Sequence, residues 1–362
     1  MLFYLCTKVT TTHRMQKFNK RFEEWKSLGT QLSDFLAVQP EVNTAWQEEL
    51  LKKVNMAVHH NGWFEKSQVL HALREWSNAL SDSSLSEWIS RYPDGTFETE
   101  SPKRVGIVMA GNIPLVGLHD LLTVSLTGHT AVVKMSGDDN QLIPALLANS
   151  PEITSGIEWA ERLNSIDAVI ATGSDNTARY FEHYFGKYPN IIRKNRKSAA
   201  VLKGDESEET LVALGEDVFR YFGMGCRSVS KIYIPEDFEL DRIFGAWMPH
   251  QDVVQNNKYG NNYDYHRAIL LLDRKPFLEN GFVIMREHEH LSTPVGTVHY
   301  ERYSDINAVH NQLVQAADSI QCIVGPTEWA DLPTVGFGES QSPKLWEYAD
   351  GIDTVSFLSK LH

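Results

Sequence analysis

The chain has 362 residues, 42% of them hydrophobic, with a formal net charge of −13. That length suffices for two or three domains with sizeable cores. The acidic balance excludes a nucleic-acid groove and disfavours a membrane-facing role.

Residues 1–6 are apolar but too few for a signal-peptide core, and no run approaches the length of a membrane span. Met15, Phe18, Phe22, Trp25, Leu28, Leu32 and Phe35 recur at three- and four-residue steps, one face of a helix. Further helical patterns cover 42–58 and 69–80. His59-His60 and His288-Glu289-His290 lack helical i, i+4 spacing and a third partner, so no metal site is expected.

From Arg104 the pattern alternates. Strands are predicted at 105–109, 130–134, 167–171 and 199–202. Helices are predicted at 114–126, 141–149, 154–163 and 176–185. Apolar strands alternating with helices indicate a parallel sheet covered on both faces. Ligands of such sheets lie beyond the strand C-termini, so the loops after 109, 134 and 171 are the functional candidates. A second alternation follows: a helix at 208–222, strands at 229–234, 282–285, 295–300 and 320–324, and helices between them. The expected organisation is N-terminal helices plus a nucleotide-binding domain at 1–203, a catalytic domain at 204–330, and a tail at 331–362 packing back near the active site. Lys203-Gly204-Asp205-Glu206 reads as the hinge, with Cys226 facing the first domain across a cleft.

The three cysteines, Cys6, Cys226 and Cys322, are far apart. This is neither a disulfide framework nor zinc-ligand spacing, and it fits a reducing, cytoplasmic setting. Cys226 ends a Gly-Met-Gly turn and precedes Arg227 and an apolar strand. An adjacent cation lowers a thiol's pKa towards the reactive thiolate, and glycines let backbone approach a substrate. The alternative is a small buried hydrophobe, the usual fate of a single Cys. Asn112 sits in Ala-Gly-Asn-Ile-Pro after the first strand. It reads either as a helix N-cap or as an amide donor to a developing oxyanion. Gly173 and Ser174, between strand and helix, suit a phosphate or another N-cap. No G-x-G-x-x-G occurs. Lys134, Ser136 and Gly137 end the second strand, where an acidic residue ordinarily meets a free ribose 2′-hydroxyl. Basic and neutral residues there favour NADP (NADPH) over NAD, with Asp138 and Asp139 close enough to keep NAD open.

These motifs, in this order, resemble the aldehyde dehydrogenase superfamily. Val-Val-Lys-x-Ser follows strand-Gly-Asn-x-Pro-helix, and Thr-Gly-Ser and Gly-x-Gly-Cys come after it. The nearest likeness is the acyl-CoA reductase branch, with the acyl-protein thioester reductases of bacterial luminescence. The segment 342–355 looks like that branch too. The resemblance implies an α/β fold of two domains with parallel-rich sheets flanking a cleft, preceded by a helical N-terminal segment. It implies Cys226 as nucleophile, Asn112 and the Cys226 N–H as oxyanion donors, Lys134 on the adenosine ribose, and Gly173 and Ser174 on the cofactor phosphates. Gly137 stands where NAD-preferring members often carry Glu. Arg193 stands where hydrolytic members carry the Glu that activates water, and a guanidinium cannot be a general base. Glu289 is one residue out of register for the Glu that orients the nicotinamide ribose. The run 193–197 reads as solvated surface or as a steering patch for CoA or a carrier protein.

The implied reaction is NADPH-dependent reduction of an acyl thioester, as acyl-CoA or acylated protein, to aldehyde through a Cys226 thioester. A protein acyl donor and a homo-oligomer are implied partners. The alternatives are an NAD(P)-dependent aldehyde dehydrogenase, acylating or hydrolytic, and a cysteine acyltransferase or thioesterase. The last needs a His base, and no His lies between His183 and His250.

Overall fold

The structure is a computed structural model that describes residues 2–173, 175–325 and 329–361, with side chains outside 2–13 and 175–176. The chain forms two compact units: Met1–Lys194 with Lys344–His362, and Asn195–Pro343.

The first unit opens with helices α1 (Leu2–Val38), α2 (Ala45–His60), α3 (Lys66–Ala79) and α4 (Asp82–Ser90). Trp25, Leu28, Leu32 and Phe35 of α1 are fully buried, the stripe that the three- and four-residue steps predict. The serine-rich α4 gives no such stripe in sequence. It forms because Ser81 caps it and Leu85 and Trp88 bury themselves.

Next come β1 (Arg104–Val108), α5 (Leu118–Leu126), β2 (Thr130–Lys134), α6 (Leu142–Leu146), α7 (Pro151–Thr154), β3 (Ile157–Trp159), β4 (Ala168–Thr172), α8 (Asp175–Phe185) and β5 (Asn190–Arg193). All pairings are parallel, in the order β3-β2-β1-β4-β5. Successive strands step one way from β1 to β3 and the other way from β1 to β5, and sheets of this kind take ligands beyond the strand C-termini where the order reverses, here between β1 and β4. The predicted helix at 154–163 is corrected. Gly156 N–H closes the end of α7 onto Ile153 O, and Ile157–Trp159 then pairs with β2. The run starting at Arg193 is also corrected, because Arg193 is the last residue of β5 and is buried.

The second unit contains β6 (Lys197–Val201), α9 (Glu208–Phe219), β7 (Val229–Pro235), α10 (Leu240–Ala246), α11 (Asn257–Leu272), β8 (Leu278–Glu279), β9 (Ile284–Glu287), β10 (Thr297–Tyr303), α12 (Ile306–Gln315), β11 (Ile320–Val324) and β12 (Thr334–Val335). The sheet order is β12-β11-β6-β7-β10-β9-β8, parallel except for the β8–β9 edge. Leu211, Leu214 and Val218 of α9 join Trp247 and Phe282 on one face, and Val309 and Leu313 of α12 cover another part of the sheet.

The expected boundary at 203 is corrected, because β6 pairs with β7 and β11 inside the second sheet. Residues 203–206 are not a hinge between units. Arg242 donates to the carbonyls of Gly204 and Glu206, pinning that loop within the second unit. The expected tail at 331–362 divides at Pro343. Its last part, with helix α13 (Thr354–Leu358), belongs to the first unit, where Trp88 Nε1 donates to Tyr348 Oη at 2.8 Å. Among the described residues, no helix is long and apolar enough to cross a membrane.

Candidate active site

The first unit carries Asn112, Lys134, Ser136, Gly137 and Gly173; the second carries Cys226. Ser174 lies outside the described residues.

In the first unit, α5 begins at Leu118 with Gly117 as its N-cap, so Asn112 is not a helix cap. Asn112 stands half-buried in the loop after β1. That loop is held from two directions. Asn61 Nδ2 donates to Gly111 O at 3.0 Å, and Leu115 N–H, at φ 61°, donates to Asp139 Oδ2 at 3.0 Å. A Cβ on Gly111 would collide with the Ser136 side chain, so glycine lets the loops after β1 and β2 close on each other.

Lys134 is exposed at the end of β2, and a side chain at Gly137 would point into open space. Asp139 is turned inward and buried; burial pushes its carboxyl up to about 6 against the pull of hydrogen bonds from Leu115 and Leu142. Its inward turn leaves Lys134, Ser136, Gly137 and exposed Asp138 on the rim. Gly173 follows β4 directly, half-buried.

Arg193 is the residue whose surroundings sequence reasoning misjudged. Its Nη1 and Nη2 donate to the two oxygens of Asp120 at 2.6 and 2.7 Å, and Nη2 reaches Thr354 Oγ1 at 3.2 Å. Asp120 lies in the first turn of α5, where the helix dipole also favours an anion. His119 and His129 are held as neutral, buried groups, their pKa values lowered chiefly by burial.

In the second unit, α9 ends where Arg220 turns extended (ψ 137°). Tyr221, Phe222 and Gly223 then adopt φ of 53°, 57° and 72°. Left-handed backbone costs a bulky residue about 1–2 kcal/mol. Burial of both rings holds it, Phe222 packing 6.0 Å from Tyr259. The predicted helix to Phe222 therefore stops at Phe219. Cys226 follows, half-buried, in a turn closed by Ser228 N–H to Gly225 O at 3.2 Å. Ser198 Oγ donates to Cys226 O at 3.0 Å.

Arg227, expected as the cation beside the thiol, gives its Nε to Ser340 O. Ser340 N–H and Gly338 N–H donate to Asp217 at 2.9 and 2.6 Å, so the 338–340 loop is clamped against the Cys226 turn. Burial pushes the Asp217 carboxyl up to about 6. Asp217, Ser198 and Asp120 were not singled out from sequence, and Asp139 was weighed only as an acidic neighbour of the ribose site. The available signal was a polar side chain at a position that helical or strand periodicity marks as core.

Glu289 has an exposed side chain, while its carbonyl accepts from Lys231 Nζ at 2.6 Å. The next two carbonyls accept from His299 Nδ1 and Ser230 Oγ at 2.8 and 2.6 Å. His288 stacks on His299 with centroids 4.6 Å apart, ring face on ring face, an arrangement unlike convergent metal ligation.

The fold is that of the aldehyde dehydrogenases. PutA of Anabaena variabilis, an aldehyde-dehydrogenase-type protein, matches with a TM-score of 0.60 at 14% identity, over 97% of this chain and 92% of that one. Aldehyde dehydrogenase 21 of Physcomitrella patens, in complex with the reaction product succinate, matches at 0.61 and 13%, over 94% and 84%. A Mycobacterium tuberculosis aldehyde dehydrogenase complexed with NAD+ matches at 0.53 and 13%, over 86% and 77%. A 3,6-anhydro-L-galactose dehydrogenase in complex with NAP matches at 0.55 and 11%, over 91% and 80%.

In sequence, the chain resembles long-chain acyl-protein thioester reductases. It is 24% identical to that of Aliivibrio fischeri over 170 residues, 41% of this chain and 35% of the relative. It is 24% identical to long-chain acyl-protein thioester reductase 2 of Photobacterium leiognathi over 217 residues, 53% of this chain and 44% of the relative. The matches thus span less than half the length of these relatives. No family model matches the sequence.

Proposed function

We propose that this chain reduces an acyl thioester, a long-chain acyl-protein or acyl-CoA, to an aldehyde with NADPH, holding the acyl group on Cys226. The observation that carries the reading is the Cys226 turn. Strained, left-handed residues precede it, and hydrogen bonds from Ser198 to the Cys226 carbonyl and from Arg227 to the Asp217-clamped loop hold the turn that carries half-buried Cys226 just before β7. Strain of this kind clusters at functional sites.

Cys226 Sγ attacks the thioester carbonyl and the donor's sulfur leaves as a thiolate, giving a new thioester on Cys226. The family resemblance assigns the oxyanion donors to Asn112 and the Cys226 N–H; one such donor is worth about 3 kcal/mol. When the product leaves, the carbon–sulfur bond breaks and Cys226 takes back its electron pair.

The first unit fits a nicotinamide dinucleotide. Its strand order reverses between β1 and β4, where sheets of this kind take ligands; beside that point Lys134 is exposed, Gly137 faces open space, and Asp139 is withdrawn. Lys134, Ser136 and Gly137 would hold the adenosine ribose and its 2′-phosphate, with NADH accepted less well. Gly173 and Ser174 would hold the diphosphate. When bound, the cofactor supplies the hydride. Arg193, at the position that resembles the water-activating Glu, is locked to Asp120 and offers no base.

The test is to mix the protein with acyl-CoA and acyl-protein thioesters of varied chain length and NADPH. Loss of cofactor absorbance, aldehyde, and a Cys226 acyl adduct by mass spectrometry are expected, all lost in Cys226→Ala. Turnover unchanged in Cys226→Ala, or free acid as the product, would overturn the proposal.

A further inference from the structure

Ser198 occupies an irregular point in the second sheet. Along β7, Ser198 pairs with Val229 but Ala199 pairs with Lys231, which skips Ser230. Along β11, Lys197 pairs with Ile320 but Ala199 pairs with Ile323, which skips Gln321 and Cys322. Both neighbouring strands therefore bulge beside the same residue. A bulge interrupts ladder hydrogen bonding and re-aims nearby groups, and bulges concentrate next to active sites.

The Ser198 side chain, with the residue fully buried, takes up the displaced groups. Its Oγ lies 3.0 Å from Cys226 O, 3.2 Å from Cys322 N and 3.2 Å from Cys322 Sγ. A hydroxyl has one proton to donate and two lone pairs. Cys226 O can only accept, so it takes the proton. Cys322 N–H can only donate, so it takes one lone pair. The second lone pair is left for Cys322 Sγ, which must then be a protonated thiol donating to Ser198. Three fixed partners leave the hydroxyl no alternative rotamer.

We infer that Ser198 is the positioning residue for the Cys226 nucleophile, tying its carbonyl to β6 through a hydroxyl whose remaining partners both come from Cys322. The inference rests on the reading of Cys226 as the acyl-accepting thiol. With the carbonyl anchored, the peptide plane leading into β7 is fixed, and the Cys226 Cα–Cβ direction with it. Acyl transfer depends on that direction, since a misplacement of about 1 Å costs on the order of a hundredfold in rate. Alkylation by a small reagent approaching from solvent tolerates the same misplacement. This assigns buried Cys322 a role other than filling space.

The test compares Ser198→Thr with Ser198→Val, two side chains of equal shape that differ in the hydroxyl, with Ser198→Ala as a third variant. In single-turnover assays with acyl-CoA, quenched and read by mass spectrometry at Cys226, the Val and Ala variants should acylate at least about tenfold more slowly than Thr. The KM for the thioester and the rate of iodoacetamide alkylation of Cys226 should stay within about twofold across the set, a pattern that general loss of structure does not produce. Val acylating as fast as Thr, or alkylation falling in parallel with acylation, overturns the positioning role. The two readings fail separately: no acyl adduct on wild-type Cys226 removes the proposed function, whereas a normal wild-type adduct with equal Thr and Val rates removes this inference alone.

Discussion

Arg193 at the end of β5 grips Asp120 at the start of α5 through two parallel hydrogen bonds of 2.6 and 2.7 Å, both side chains more than nine-tenths buried. This fork-on-fork geometry satisfies both charges away from water. Removing one partner strands the other, so Arg193→Ala or Asp120→Ala should each lose about 3–5 kcal/mol. Replacing both with apolar residues of similar volume should restore most of that loss. Urea unfolding of the three variants checks it.

The same pair bears on the fate of an acyl group. General bases contribute about 10²–10⁴-fold to rates. On the proposed reading, in which Arg193 takes the place of the water-activating Glu and Cys226 carries the acyl group, acyl-Cys226 should hydrolyse about a hundredfold more slowly without cofactor than it turns over with NADPH. Intact-mass decay of the adduct, with and without NADPH, reads this directly.

Lys134 stands exposed at the rim while Asp139 is withdrawn to Leu115. A charge-assisted contact to a phosphate is worth about 1.5–3 kcal/mol, less at an exposed site. Lys134→Ala should raise the KM for NADPH about tenfold and leave that for NADH nearly unchanged. Equal losses with both cofactors would show that Lys134 does not read the 2′-phosphate.

His129 accepts from Lys103 N–H at Nδ1 (3.0 Å), so Nε2 carries the proton given to Leu358 O (3.2 Å). Burial keeps its pKa below the unfolded value of about 6.5. Its contribution is complete above that pH and drains as pH falls towards the folded value. Asp139 and Asp217 run the other way. Their carboxyls, near 4 when unfolded, are pushed up to about 6, so their ionisation costs stability as pH rises between those values and no more above. In melting curves from pH 8 to 4, His129→Gln should lose part of the acid sensitivity. Asp217→Asn should become more acid-sensitive than wild type between about pH 6 and 4.

Arg274 follows the end of α11 at φ 51°, in a reversal closed by Arg274 N–H to Leu271 O and Lys275 N–H to Leu270 O. Glycine is the usual residue there. Arg274→Gly should raise the unfolding free energy by about 1 kcal/mol, measured by denaturant midpoint, because it relieves an exposed, strained backbone.

Several elements were legible because local pattern and tertiary fate coincide. The α1 stripe, the apolar β1, β2 and β4, and the loops at their C-terminal ends all follow from periodicity and from the rule for parallel sheets. The errors share a cause. Ile157–Trp159 is too short to show a period and becomes a strand by pairing with β2. Ser198, Asp217 and Asp139 look like ordinary polar residues until their backbone partners are known.

By itself, the chain determined two alternations of strand and helix, the order of the loop motifs, and the glycine turn that presents Cys226, because these depend on residues near in sequence. Tertiary structure alone decided that β6 belongs to the second sheet, that residues 344–361 return to the first unit, and that Arg193 is an internal cation rather than surface charge. It also decided that Ser198 joins Cys226 to Cys322. These depend on partners 28 to 260 residues apart, and a hydrogen bond or ion pair between such partners leaves no trace in local periodicity.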